Sequence, residues 1–297
     1  MRAMALMGAT GTGKSALAMQ LAGASGGSII SCDSMQVYRG LDIGTAKPDA
    51  AELKAVSHFL IDCVALPHIY SAAQWAKDVI DIIRNENEAG RTPLIVGGTG
   101  LYLRALLEGF SDIPPEDKGV RHHLEEKLAK HGVQAMYQSL EVCDAATATR
   151  LSSNDTQRIM RALAVFETTG KPLSEWVESQ PKLPGVDCPV FVLDAERDVL
   201  RARLSERFDA MMARGWLDEV RWLAGLNLPD AHPAMRAVGY RQLLKHVRGE
   251  STLEEASSEG ITATRRYAKR QATWFRHQTP DAVRGSADEL RQRITSL

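Results

Sequence analysis

MGATGTGKS, at residues 7–15, lies between a short apolar run and a pattern typical of a helix. Its spacing, Gly-x-x-x-x-Gly-Lys-Ser, is filled by Gly8, Gly13, Lys14 and Ser15 and is typical of a phosphate-binding loop. Glycines allow successive backbone N–H groups to point at phosphate oxygens, and the N-terminus of the following helix adds partial positive charge. Lys14 adds a full charge, and the Ser15 hydroxyl can hold Mg²⁺. The stretch therefore predicts a strand, a phosphate-binding loop and a helix, but it leaves open whether phosphate is transferred or released.

The composition is that of a soluble globular protein, because 44% of the 297 residues are hydrophobic and 25% are charged. A net charge of -1 gives no general attraction to nucleic acid, so such binding would need local clusters of Lys and Arg. The four cysteines are widely separated and match no zinc-site spacing, which predicts reduced, mostly buried thiols in a cytosolic protein. No signal-peptide pattern precedes the first strand, and no apolar run approaches the roughly 18 residues of a membrane span.

Two further stretches follow predicted strands. Residues 28–32 form a short apolar strand that ends at Asp33, and residues 93–96 form another that runs into Gly97-Gly98-Thr99-Gly100 and a helical pattern. Ligands of open α/β sheets bind at the carboxyl ends of strands, so we expect Asp33 to face the phosphate site, although a turn or helix-capping aspartate is the alternative. Many NTPases place a metal-holding aspartate at the end of such a strand, but here glycines and Thr99 stand at that place. Asp62, within a third predicted strand at residues 58–64, could fill the role of that aspartate instead.

The chain changes character after Pro114-Pro115. Residues 116 to about 180 show helical periods without a convincing strand, and Pro181 to Pro184 end the segment. Residues 189–194 return to a strand pattern. We therefore predict an α/β core in two parts, 1–113 and 186–297, that is interrupted by an all-helical insertion at 114–185.

A basic helix is predicted near the end of the chain. Residues 264–276 contain five positive charges and no acid, and helical geometry places Arg265, Lys269 and Arg276 on one face with Tyr267 and Trp274 opposite. A solvated basic face would usually include Glu residues, so the pattern favours binding to a nucleic-acid backbone over a merely solvated surface.

Several of these strings, from Gly8 to Arg276 and in the same order, resemble the tRNA dimethylallyltransferase family, of the bacterial type without a zinc finger. Residues 33–48 resemble its signature almost residue for residue, and residues 97–102, 154–174, 207–208 and 238–242 resemble further family strings. Ala9 and Gly11-Thr12 depart from the family's commoner residues, at positions that contribute backbone rather than side chains. The resemblance implies an α/β fold with a P-loop-containing parallel sheet flanked by helices and an all-helical, tRNA-binding insertion domain.

The resemblance further implies a reaction and its partners. The dimethylallyl group of dimethylallyl diphosphate is transferred to the exocyclic N6 of the adenosine immediately following the anticodon in tRNA, with Mg²⁺ as cofactor. The N6 amine is scarcely basic but becomes acidic as the new C–N bond forms, so a carboxylate such as Asp33 suffices to take its proton. Thr99 is similar to the family threonine that contacts the substrate at the reacting centre.

The remaining site residues fall into two groups. The residues expected to bind the diphosphate donor are Gly8, Ala9, Thr10, Gly11, Thr12, Gly13, Lys14, Ser15 and Arg207, with Mg²⁺ held at Ser15. The residues expected to contact tRNA are Asp33, Ser34, Met35, Gln36, Arg121, Gln157, Arg158, Ile159, Met160, Arg161, Arg241, Arg265, Lys269, Arg270 and Arg276. We expect a monomeric, cytoplasmic protein that does not bind membranes.

Three other functions use some of these features. A P-loop kinase that acts on a nucleotide or small molecule would use the phosphate loop but would leave the basic helix and the insertion without a role. A relative that alkylates free AMP would not need those two elements either. A nucleic-acid-binding protein without enzymatic activity would use the basic helix but not Asp33 between two glycine loops.

Overall fold

The computed structural model describes residues 1–109, 111, 113–114, 117–179 and 185–296. The chain divides into two compact units, of which the first comprises Met1–Leu107 with Pro184–Leu297 and the second Glu108–Leu183. Pro115 and the predicted boundary at Pro181 to Pro184 lie outside the described residues, so the boundaries 114 and 185 stay predictions.

A parallel sheet forms the centre of the first unit. Its strands run in the order β3-β2-β4-β1-β5-β6, where the six strands among the described residues are β1 Met4–Gly8, β2 Ser28–Cys32, β3 Ser57–Phe59, β4 Leu94–Gly97, β5 Val190–Leu193 and β6 Val283–Gly285. Strands of a parallel sheet are covered on both faces, which is why β2 and β4 consist entirely of buried residues. Gly97 is paired with both Met7 and Cys32, so the carboxyl ends of β1, β2 and β4 are level at one edge.

The helices that follow these strands begin and end at recognisable residues. The first four are α1 Lys14–Ser25, α2 Ala50–Ala55, α3 Ala72–Glu88 and α4 Gly100–Glu108. Gly13 and Gly26 bound α1 with φ angles of 95° and 63°, which favour glycine. The helix buries Leu17 and Leu21 against the sheet, so the phosphate loop is attached to the core on both sides.

The second unit is helical throughout its described residues. It contains α5 Lys118–Cys143, α6 Ala145–Ala148, α7 Thr156–Thr169 and α8 Leu173–Glu178. Gly132, with φ 76°, interrupts the helical conformation inside α5. The Asp155 side chain caps α7 by accepting from the Arg158 N–H, and Leu140, Ile159 and Leu163 pack in a core of the unit's own. The predicted all-helical insertion is confirmed for the described residues.

The rest of the first unit completes the sheet and its helical cover. Its helices are α9 Arg197–Ala213, α10 Trp216–Gly225, α11 Pro233–Arg236, α12 Tyr240–Val247, α13 Leu253–Gln278 and α14 Ala287–Thr295. No motif after Pro280 predicts β6 or α14, yet β6 pairs with β5 and α14 buries Leu290 and Ile294 in the core. The predicted α/β fold is confirmed, and no helix in the described part of the chain is long and apolar enough to cross a membrane.

Two smaller predictions are corrected. The third strand ends at Phe59 instead of continuing to residue 64, because Leu60 and Asp62 have φ angles of 60° and 53°, outside the strand region. All four cysteines are unpaired, as expected, but only Cys32 is fully buried and Cys63 is exposed.

Candidate active site

A cavity of about 600 Å³ lies where β1, β2 and β4 end. The two glycine loops and the residues after β2 therefore meet at one place, as the register of the three strands requires. The cavity is part of the first unit, and its walls include Thr10, Gly11, Gly13, Lys14, Ser15, Asp33, Ser34, Met35, Gln36, Gly97, Gly98, Arg207, Tyr267 and Gln271.

Lys14 is the cation of the phosphate loop. Its Nζ donates to the carbonyl oxygen of Ala9 at 2.7 Å, which holds the side chain across the loop. Burial lowers the pKa of Lys14 from its usual value of 10.5 to about 8; Asp33 opposes this shift, and the positive charge of Arg207 adds to it. An anionic ligand in the cavity would favour the charged ammonium.

Three residues predicted to bind the donor are part of the loop but do not line the cavity. Ala9 is buried against α9 and α13, and the Thr12 hydroxyl donates to the Ala9 carbonyl at 2.9 Å. A Cβ on Gly8 would lie 2.6 Å from the carbonyl oxygen of Leu193, so only glycine fits there. Gly8, Ala9 and Thr12 thus support the loop's shape, whereas Thr10, Gly11, Gly13, Lys14 and Ser15 line the cavity.

Asp33 combines the two roles that the sequence left as alternatives. Its Oδ1 accepts from the backbone N–H groups of Met35 at 2.8 Å and Gln36 at 3.4 Å, as in an aspartate turn. Asp33 also lines the cavity, and its charge acts on both Lys14 and Arg207. The turn therefore fixes the carboxylate close to the two cations.

Thr99 is next to Asp33 but is not part of the cavity wall. Its Oγ1 accepts from the backbone N–H of Ser34 at 3.1 Å, and its own N–H donates to the Cys32 carbonyl at 3.1 Å. A Cβ on Gly97 would lie 2.1 Å from the same carbonyl, so glycine allows the two strand ends to approach closely. Thr99 thus ties the second glycine loop to the end of β2.

Arg207 projects from α9 to the cavity and is half-buried. Burial lowers its pKa, and the opposite charge of Asp33 partly offsets that effect. Arg201 and Arg203, which the sequence also suggested as phosphate contacts, are exposed and do not line the cavity. The difference follows from helical geometry, because only one face of α9 is directed towards the loop.

The residues present fit Mg²⁺ that arrives with a diphosphate. The Ser15 hydroxyl is exposed on the cavity wall and is an oxygen ligand of the kind that Mg²⁺ prefers. No group of three or more His, Cys, Asp or Glu residues suited to a metal occurs in the described ranges. Mg²⁺ commonly uses one or two protein oxygens together with substrate phosphates, which matches this arrangement.

Residues 34–48 are held by side chains that sequence reasoning missed. The Glu219 carboxylate accepts from three successive N–H groups, those of Asp42, Ile43 and Gly44, at 2.8, 2.7 and 3.1 Å, and from the Tyr240 hydroxyl. Lys47 is almost completely buried and donates to the Tyr38 carbonyl at 2.6 Å, to Asp42 at 2.7 Å and to Asp62. Asp62 thus serves an ion pair, and it does not line the cavity.

Gln36 links the beginning of this segment to its later residues by hydrogen bonds. Its Nε2 donates to the carbonyls of Thr45 and Ala46, both at 3.2 Å, and its Oε1 accepts from the Ser31 hydroxyl at 2.9 Å. Met35 and Ser34 line the cavity beside it. No local pattern could have revealed Glu219, because it lies more than 170 positions from the amides that it binds.

The basic helix α13 has two distinct faces, as the sequence predicts. Arg265, Lys269, Arg270 and Arg276 are exposed, as is Arg241 on α12. Arg265 donates to the Ser205 hydroxyl at 2.8 Å, and Arg270 lies 5.7 Å from the centre of the Tyr267 ring. The opposite face, with Tyr267, Gln271 and Trp274, packs towards the cavity and the second glycine loop.

The second unit carries the other residues expected to contact tRNA. Gln157 and Arg158 are exposed, although Arg158 forms an ion pair with Asp155 at 3.2 Å, and Arg121 pairs with Glu125 at 3.0 Å. Met160 and Arg161 are half-buried. Ile159 is 0% exposed within the unit's core, so its side chain is not available to RNA.

The sequence profile of one family, described as IPP transferase, matches residues 36–278. The chain belongs to the IPP transferase family. It is 45% identical to a tRNA dimethylallyltransferase of Bradyrhizobium sp., covering 94% of this chain and 92% of that protein. It is 46% identical to one of Halorhodospira halophila, covering 96% and 93%.

Solved structures extend the likeness to the fold of IPP transferases. A full-length tRNA isopentenylpyrophosphate transferase of Bacillus halodurans shares 35% identity and a TM-score of 0.70, covering 99% of this chain and 94% of that one. A eukaryotic dimethylallyltransferase, studied acting on tRNA, shares 28% identity and a TM-score of 0.80, covering 96% and 74%. The P-loop fold of this IPP transferase family member is thus shared by both.

Proposed function

We propose that the protein is a tRNA dimethylallyltransferase. It transfers the dimethylallyl group from dimethylallyl diphosphate to N6 of the adenosine immediately following the anticodon in tRNA, and it releases diphosphate. The observation that carries the proposal is the convergence of Lys14, Arg207 and Asp33 on one cavity between two glycine loops. The relatives named for this activity support it.

The leaving group is stabilised by the cationic side of the cavity. The C1–O bond of the donor breaks easily because the allyl group delocalises positive charge, so catalysis mainly requires a stabilised diphosphate and a well-placed nucleophile. Lys14, Arg207 and the N-terminus of α1 supply positive charge from the protein. Mg²⁺, which the Ser15 hydroxyl would hold, neutralises further charge on the diphosphate when bound.

Asp33 supplies the proton acceptor in the same cavity. As the C1–N6 bond forms, the N6 proton passes to the Asp33 carboxylate, which leaves a neutral secondary amine. The hydrogen bonds from Met35 and Gln36 occupy Oδ1 and fix the orientation of the carboxyl group. The proposed role of Thr99 is indirect, because its hydroxyl holds the Ser34 N–H beside this carboxylate.

The RNA is proposed to contact the exposed cations of the chain. The adenosine must leave its stack to reach Asp33, which costs a few kcal/mol, and contacts elsewhere must offset that cost. The outer face of α13 and the polar residues of α7 are the proposed sites of these contacts. Because tRNA is the substrate, we propose that the enzyme acts in the cytoplasm; the monomeric state stays a prediction.

One incubation tests the function. The protein is mixed with dimethylallyl diphosphate, Mg²⁺ and bulk tRNA, and the digested nucleosides are analysed for N6-(dimethylallyl)adenosine. We expect this nucleoside, with one diphosphate released per transfer and no requirement for ATP. Phosphate transfer from ATP to an acceptor would instead favour the kinase alternative. A product on free AMP but not on tRNA would favour an adenylate-alkylating enzyme.

A further inference from the structure

Gln271 connects the basic helix to both glycine loops. Its side chain is only 7% exposed, and its two polar atoms have different partners. Oε1 accepts from the backbone N–H of Thr10 in the phosphate loop at 2.9 Å, and Nε2 donates to the carbonyl of Gly98 in the second loop at 2.8 Å. A single amide thus links two loops that follow different strands.

Close approach to the second loop depends on glycine. A Cβ on Gly98 would lie 2.2 Å from Nε2 of Gln271, and one on Gly100 would lie 2.3 Å from the Trp274 ring. Gln271 and Trp274 are three positions apart on α13, so they lie on the same helical face. The inner face of α13 therefore fits against this loop without room for another side chain.

The bond to Thr10 also determines the direction of the neighbouring carbonyl. The peptide group between Ala9 and Thr10 is planar, and in a trans peptide its C=O points opposite to its N–H. Gln271 holds the N–H end. The C=O end accepts from Lys14 Nζ at 2.7 Å and from the Thr12 hydroxyl at 2.9 Å. Rotation of this peptide plane would therefore displace the acceptor that holds the Lys14 ammonium.

We propose that Gln271 is a positioning residue for the diphosphate site, acting through the Ala9–Thr10 peptide on Lys14. The inference rests on the proposed function only in taking the ligand to be a diphosphate. Glutamine suits both partners, because it supplies one acceptor and one donor without a charge that would repel the ligand. Neither tRNA contact nor proton transfer is assigned to Gln271, because its two polar atoms are hydrogen-bonded to backbone groups of the loops.

The first test compares two Gln→Met variants on the same helix. Gln271→Met keeps the approximate length of the side chain but loses both bonds, whereas Gln278→Met makes the same change at the exposed end of α13. Binding of inorganic pyrophosphate with Mg²⁺ is measured by calorimetry, and KM and kcat are measured with dimethylallyl diphosphate. We expect Gln271→Met to weaken pyrophosphate about 10- to 100-fold and to raise the donor KM, with a smaller change in the tRNA KM. Gln278→Met should match the unaltered protein.

A double-mutant cycle tests the route through Lys14. If Gln271 acts by placing the ammonium, Gln271→Met should weaken pyrophosphate binding much less in a Lys14→Met background than in the unaltered protein. Equal effects in both backgrounds would overturn the proposed route. If Gln271→Met does not fold, Gln271→Asn is measured instead. Its shorter side chain reaches at most one of the two loops. Unchanged pyrophosphate affinity in that variant would overturn the inference.

The outcomes separate this inference from the proposed function. If the unaltered protein binds pyrophosphate but forms no prenylated adenosine, the function is wrong, while the pyrophosphate measurements still decide the role of Gln271. If the protein prenylates tRNA and the Gln271 variants bind donor and pyrophosphate normally, only the inference is wrong. If the unaltered protein neither binds pyrophosphate nor prenylates tRNA, both are overturned.

Discussion

The phosphate loop and the segment from Asp33 to Pro48 border one cavity, but they are held in place differently. The loop is held largely by near neighbours, since Lys14 and Thr12 both donate to the Ala9 carbonyl, and it has one distant support, the Gln271 side chain that accepts from the Thr10 N–H. The segment depends on a partner far along the chain, because Glu219 accepts three of its backbone N–H groups. A short motif is therefore enough to recognise the phosphate loop from the sequence, whereas the shape of the Asp33–Pro48 segment depends more heavily on distant parts of the fold.

The largest effect is expected at Asp33, the proposed proton acceptor of the segment. Asp33→Ala should lower kcat by about 10²- to 10⁴-fold, the usual range for loss of a positioned proton acceptor, with much less effect on tRNA affinity. Asp33→Asn separates the two roles, because its amide oxygen still accepts from Met35 and Gln36 but is not a base. Single-turnover rates should therefore fall in both variants, and normal turnover by Asp33→Asn would leave only the role in the turn.

The outer face of α13 tests whether the phosphate loop is independent of RNA binding. Reversing the charges of Arg265, Lys269 and Arg276 to Glu should weaken tRNA binding about 10- to 100-fold, because fewer phosphate contacts form and fewer counterions are released on binding. The log–log salt dependence should flatten by roughly 0.7 to 0.9 per contact, as measured by filter binding at several salt concentrations.

Two controls accompany the charge reversal. Pyrophosphate affinity should stay unchanged, and Arg84→Glu, on α3, should leave the salt dependence of tRNA binding as it is. If the triple variant folds and binds tRNA normally, the basic face of α13 is only a solvated surface and does not contact RNA. Loss of pyrophosphate binding would instead show that the loop depends on the charges of α13 as well as on Gln271.

A smaller effect is expected when the distant support of the segment is weakened. Glu219→Gln keeps the side chain's shape but removes its charge and leaves one acceptor oxygen where two now accept hydrogen bonds. We therefore expect a loss of about 1–3 kcal/mol in the free energy of unfolding and a roughly tenfold lower kcat. Denaturant titration and steady-state kinetics measure the two quantities.

The neighbouring Asp218→Asn is the matched control for Glu219→Gln. Asp218 is exposed and pairs with Arg221 on the same helix, so its change should cost at most about 0.5 kcal/mol. If the two variants proved equally stable and equally active, the segment would not depend on Glu219, and the contrast with the phosphate loop would disappear.

The smallest effect concerns pH and belongs to the phosphate loop. Burial lowers the pKa of Lys14 to about 8, and a bound diphosphate favours the ammonium form. Donor affinity should therefore be nearly full at about pH 7 and should fall several-fold between about pH 7 and 9, as the free protein loses the Lys14 proton. Lys14→Arg stays charged throughout, so comparison of the two pH profiles removes the titration of the diphosphate itself. Parallel profiles would contradict the shift.

The same contrast explains what could be predicted from the sequence. The phosphate loop, the strand before it and the location of Asp33 follow from a contiguous motif and from the rule that ligands bind at strand ends. Glu219 and Gln271 could not be found in this way, because hydrogen bonds between residues so far apart leave no local pattern. The contact of Thr99 with the substrate stays a prediction; its hydroxyl accepts from the backbone N–H of Ser34, a detail that residue type does not reveal.

The central strand β1 has one neighbour before the insertion and one after it. β4 is synthesised early, but β5, whose Leu193 carbonyl packs against Gly8, follows only after the whole second unit. The second unit has its own core and contacts that are close in sequence, which favour rapid folding. On the ribosome, the helical unit can therefore fold before β5 is available to pair with β1 beside the phosphate loop. The diphosphate site is then completed late in synthesis, after β5 and finally α13 with Gln271 have emerged.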